Sequence, residues 1–117
     1  MPSTPLERCD RNTLELALAK PRTSYQHVER YPTFVAKAAA LLYGLAKSQA
    51  CPDGNKRIAL ILVVAFVRLN GFDLHVNRGE LSDLILQTAA SPSREHDAMI
   101  DVLAAWFDER LQGPGEP

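Results

Sequence analysis

The chain has 117 residues, 46% of them hydrophobic, with 13 basic against 14 acidic side chains. That is enough for one continuous core and leaves no room for a second domain. Near-neutral charge without a basic stripe interleaved with aromatics does not favour general nucleic-acid binding. The longest apolar run, residues 58–67, falls well short of the roughly 20 residues needed to cross a bilayer, so no membrane span is expected.

Residues 1–7 read as a flexible N-terminus that lacks the charged start and apolar stretch of a signal peptide, which points to the cytoplasm. Cys9 and Cys51 form neither a disulfide framework nor a metal-ligand spacing, so both are expected as thiols. A first helix is predicted over residues 10–20, with Leu14, Leu16, Leu18 and the alanines as its apolar face and Pro21 as its stop. Residues 22–31 form a polar segment containing Tyr25, His27 and Arg30. A second helix over residues 33–47 carries Phe34, Ala38, Leu41, Leu42 and Leu45 at helical spacing.

The third helix contains the apolar run, is expected to be buried nearly all round, and stops at Asn70-Gly71, which tolerate left-handed angles. Residues 72–76 read as extended. Asn77 followed by Glu80 resembles a capping box and opens a fourth helix to residue 90, broken by Ser91-Pro92-Ser93. A last helix over residues 94–111 presents Met99, Val102, Leu103, Trp106 and Phe107 to the core, and residues 113–117 read as a flexible tail. The organisation is all-α, with one domain over residues 8–112 and no internal repeat.

The chemistry concentrates at residues 48–57, Ser-Gln-Ala-Cys-Pro-Asp-Gly-Asn-Lys-Arg. Asp53 is a good N-cap, Gly54 lets the backbone approach a ligand, and Asn55, Lys56 and Arg57 set donors and positive charge beside the orphan N–H groups of a helix start. Such a turn can seat a phosphate. Taken as local physics alone it is equally an ordinary cap followed by a solvated first turn, and that plainer reading is the favoured one.

A wider window adds to this. Residues 45–60, Leu-Ala-Lys-Ser-Gln-Ala-Cys-Pro-Asp-Gly-Asn-Lys-Arg-Ile-Ala-Leu, resemble the active-site segment of the Fic/Doc family in its Doc branch, whose pattern is H-x-F-x-[DE]-[GA]-N-[KG]-R. Asp53, Gly54, Asn55, Lys56 and Arg57 agree with that pattern. Gln49 stands in place of the family histidine and Cys51 in place of the phenylalanine. The resemblance covers about residues 6–111. It implies a compact helical bundle around a buried central helix. Doc-like proteins usually carry an earlier helix that this chain starts too late to have, so the expectation is either a trimmed chain or a groove that another chain fills.

In the mechanism the resemblance implies, the histidine deprotonates a hydroxyl of a target protein, which attacks a nucleotide phosphate. Family members transfer AMP or another phosphate-containing group, and the Doc branch transfers the terminal phosphate of ATP to elongation factor Tu. Carried onto this chain, Asp53 would help hold Mg²⁺, Gly54 and Asn55 would shape the anion nest, and Lys56 and Arg57 would neutralise the phosphates. Gln49 has no basic pair, so catalysis is expected to be impaired. Cys51 near Lys56 and Arg57 could have a lowered pKa, yet a small buried thiol is the stronger reading. His27 is the histidine to watch as a substitute base, while His75 and His96 sit at surface junctions.

Three functions follow from this. The first is a toxin component with a nucleotide-dependent transferase fold, impaired at Gln49, that acts on a translation factor. The second is a nucleotide-binding pseudoenzyme. The third is an interaction module receiving a helix from an antitoxin-like partner.

Overall fold

A computed structural model describes residues 10–22, 24–25, 28–48 and 55–112. The expected flexible ends, Cys9, Cys51 and His27 lie outside the described residues. Five helices, α1 (Arg11–Ala19), α2 (Phe34–Lys47), α3 (Asn55–Leu69), α4 (Arg78–Ala90) and α5 (His96–Arg110), make up most of the fold. Two antiparallel two-residue ladders accompany them: β1 (Ser24–Tyr25) with β2 (Val28–Glu29), and β3 (Asp73–Leu74) with β4 (Leu111–Gln112). The all-α expectation holds.

Side-chain caps fix where the helices begin. Asp10 Oδ1 accepts from the N–H of Asn12 at 3.0 Å and of Thr13 at 3.3 Å, and Thr33 Oγ1 accepts from Ala36 N–H at 3.1 Å. Each acceptor satisfies donors that the first turn leaves without a helical partner. Asn77 Oδ1 accepts from Glu80 N–H at 2.8 Å, but only this half of the expected capping box is made. The Glu80 carboxylate turns instead to Arg110 Nε at 3.1 Å, tying the start of α4 to the end of α5. An ion pair across helices competes with the local reach-back, and sequence spacing sees only the latter.

The stop at the end of α3 is a Schellman closure: Phe72 N–H donates to Val67 O, Gly71 N–H to Arg68 O, and Gly71 sits at φ 84°. The closure delivers Phe72 onto Phe34, with ring centroids 4.3 Å apart, and Phe34 in turn stacks on Phe66 at 5.3 Å. A local turn rule thereby becomes a tertiary contact between α2 and α3.

A buried central helix organises the bundle, and it is α2. Ala38, Ala39, Ala40, Leu41, Leu42, Tyr43, Leu45 and Ala46 are all buried, and α2 packs against α1, α3, α4 and α5. Three successive alanines let neighbours approach on several sides at once, because interhelix distance follows side-chain size. At Gly44 the approach is closer still: an added Cβ would lie 3.3 Å from Ala17 O of α1 and 3.2 Å from Lys20 Cδ.

The expectation that α3 is buried nearly all round is corrected. Ile58, Ala59, Val63 and Val67 are buried, whereas Ile61 is 51% exposed. An unbroken apolar run paints every face of a helix, but among the described helices it is α2 that packs against all the others. The apolar face expected of α1 is also redrawn: Ala17 is the buried contact, and Leu16 is 75% exposed. On α5, Ile100, Leu103 and Phe107 form the buried stripe and Val102 faces out. The pairing of residues 73–74 with 111–112, and the 3₁₀ turn Ser93–Glu95 before α5, lie beyond the helical spacing used to place these elements.

Candidate functional site

The motif sits where α2 hands the chain to α3. Gln49, Cys51, Asp53 and Gly54 lie outside the described residues, so the structure gives them no geometry. Asn55 opens α3, and Lys56 and Arg57 are exposed on its first turn. That turn carries no acidic residue. Two cations at the positive end of a helix dipole oppose it, an arrangement that costs stability unless an anion sits there. Lys56 and Arg57 line a cleft of about 440 Å³ with Leu60 and Ile61 of α3 and Ser82 of α4. Among its described lining residues the cleft has two cations, an apolar wall and one hydroxyl, a combination that suits a phosphate-bearing ligand.

Ser82 was not among the residues singled out from sequence. It reaches the motif only because α4 folds back along α3, a long-range placement without a local signal. Lys47 was also missed. Its ammonium donates to Ala89 O at 3.4 Å and to Ser91 O, and lies 5.7 Å from the Tyr43 ring centroid. It therefore joins the end of α2 to the last carbonyls of α4, where a cation complements the dipole. Burial pushes the Tyr43 phenol above its ordinary pKa, and neighbouring Tyr31 adds to this.

The two described histidines do not line the cleft. His75 is exposed, and its backbone N–H donates to Arg110 O at 2.9 Å, extending the β3–β4 ladder. The His96 ring packs edge-on against Tyr43 at 4.7 Å, with Nδ1 2.8 Å from Asp97 Oδ1. Hydrogen bonding from His96 holds the Asp97 carboxyl below its usual range, with a further contribution from Arg30, whose Nη2 lies 3.2 Å away. His96 thus joins α5 to α2, and Arg30 anchors the β1–β2 segment onto α5. Among the described residues no group of His, Cys, Asp and Glu could hold a metal ion, and Asp53, expected to do so, is outside them.

A family model described as Fic/DOC matches residues 4–67, from before α1 through most of α3 and across the whole motif. The chain belongs to the Fic/DOC family. Among curated proteins this Fic/DOC chain is similar to the Toxin Doc of Mycolicibacterium smegmatis, with 37% identity over 100 residues, covering 82% of this chain and 72% of that one. No solved structure matches it significantly. The matched span includes the α2–α3 junction and the cationic first turn of α3, and the all-α bundle described above agrees with the family's fold. No described helix of this Fic/DOC chain is long and apolar enough to cross a membrane.

Proposed function

We propose that the chain is the toxin component of a toxin–antitoxin pair, built as a nucleotide-dependent transferase that acts on a hydroxyl of a translation factor resembling elongation factor Tu. The observation that carries this reading is the pair Lys56 and Arg57 at the positive end of α3, lining a cleft against Ser82. The similarity to Toxin Doc supports the toxin class. In this reading ATP or another nucleotide places its phosphates on Lys56, Arg57 and the Gly54–Asn55 backbone, and Asp53 holds Mg²⁺. Bound Mg²⁺ supplies charge neutralisation at the transferring phosphate. Gln49 orients the attacking hydroxyl without accepting its proton, so turnover is slow.

Titration of ATP and Mg²⁺ into the protein and into Arg57→Ala tests the reading. A charge-assisted hydrogen bond contributes about 1.5–3 kcal/mol, so Arg57→Ala is expected to weaken nucleotide binding about 10- to 150-fold. Equal affinity in both proteins, or no binding in either, would remove the nucleotide site from the reading.

The partner side rests on a separate observation. Leu18, Pro21, Phe34, Leu41, Leu62, Phe66 and Leu69 line an apolar groove of about 660 Å³ across α1, α2 and α3, with Arg22 and Lys37 and no carboxylate among the described lining residues. Leu69 is 86% exposed. This surface fits an amphipathic antitoxin helix whose apolar anchors are flanked by acidic side chains. Burying one leucine is worth about 1.5–3 kcal/mol, so Leu69→Glu is expected to weaken capture of a helical antitoxin encoded in an adjacent reading frame at least about ten-fold. Unchanged capture would place the antitoxin elsewhere.

A further inference from the structure

We infer that Lys47 is a positioning residue for the motif, clamping the point where the chain leaves α2 onto the end of α4. The inference rests on the transferase reading for its catalytic consequence, but its structural part stands on observed contacts. The ammonium of Lys47 binds two carbonyls, Ala89 O at 3.4 Å and Ser91 O, which close the C-terminal end of α4. The other end of the motif meets the same helix, because Lys56 and Arg57 share their cleft with Ser82. Helix α4 therefore packs against the helices on both sides of residues 49–54, α2 before them and α3 after.

Ser82 and Ala89 are separated by about 10 Å along α4 at the usual helical rise. A rigid rod contacted at two points fixes the distance between the entrance and the exit of the turn. At the entrance the fixing group is a single charged side chain, held over Tyr43 and directed along a helix axis where positive charge is favoured. Thr88 reinforces that end of α4: its buried hydroxyl donates to Leu84 O, while Ser91 Oγ donates to Thr88 O at 2.7 Å. The clamp therefore grips a well-formed helix end.

Amide exchange of the full chain tests this directly. Lys47→Met is expected to speed exchange about ten-fold or more in peptides spanning residues 44–48 and 89–92, leaving α1 and the second half of α5 unchanged, and Lys47→Arg is expected to retain protection. Lys47→Gln, which keeps a shorter neutral donor, gives the same localised reading if the methionine variant folds poorly. In a Gln49→His background, Lys47→Met is expected to lower kcat about ten-fold with the nucleotide KM little changed, and arginine is expected to restore it. Unchanged exchange around the motif, or a uniform rise across all helices, overturns the inference. Localised exchange changes in a Gln49→His protein that transfers nothing would retain the clamp and reject the transferase reading.

Discussion

Gln49→His is expected to raise group transfer from nucleotide to target protein by about 10²- to 10⁴-fold, the range a correctly placed general base contributes. The expectation follows from the chemistry of the two side chains. Deprotonating a hydroxyl as it attacks phosphorus needs a group with a lone pair that titrates near neutrality; imidazole has one and a carboxamide does not. The Asp-Gly-Asn-Lys-Arg part of the family pattern is present as residues 53–57, and in the proposed function it holds the phosphates. Neither His75 nor His96 lines the cleft, and the His96 ring is packed against Tyr43. The measurement is transfer of labelled phosphate or AMP to a purified translation factor, with growth arrest on induction as the cellular counterpart. A histidine protein as inert as the parent, while still binding nucleotide, would make the turn a binding device only.

The second large effect concerns stability. Phe107 is completely buried on α5, and Phe107→Ala is expected to cost about 3–5 kcal/mol, combining lost apolar transfer with the cavity left behind. Against a typical total of about 5–15 kcal/mol that is a severe loss. Equilibrium urea unfolding would show it as a lower midpoint at unchanged slope. Val102→Ala, on the outward face of the same helix, is the control and is expected to stay within about 0.5 kcal/mol of the parent. A Phe107→Ala penalty below about 1 kcal/mol would mean that neighbouring helices collapse into the space.

Helix starts and stops were legible because they are local chemistry. The helices begin beside residues 10, 33 and 77, where the sequence places their starts, Asn77 caps as its side chain predicts, and Gly71 ends α3 in the left-handed conformation expected of it. What escaped was each property decided by distant parts of the chain. Leu16 reads as core and faces outward, because the contact of α1 with α2 is made through Ala17 at Gly44. The run at residues 58–67 reads as the central helix, yet the alanine-rich α2 takes that place because small side chains admit neighbours on more sides. At the site, the chemical character of Lys56 and Arg57 was readable, while Ser82 and Lys47 joined it only through the packing of α4. The roles of Gln49, Asp53 and Gly54 rest on motif resemblance, as these residues lie outside the described ones.

The arrangement of α2 also governs what happens to a divided chain. A break between Ser48 and Asn55 would give one fragment holding α1 and α2 and another holding α3, α4 and α5. The first would expose the alanine and leucine faces that every other helix covers, and the second would consist of three helices deprived of the one they share. Each fragment keeps only part of the buried core, α1 against α2 in one and α3 against α4 in the other. Reassembly would have to rejoin the two sides of residues 49–54 in the same step that buries α2, so recovery of helical signal on mixing would report directly on fragment reassociation.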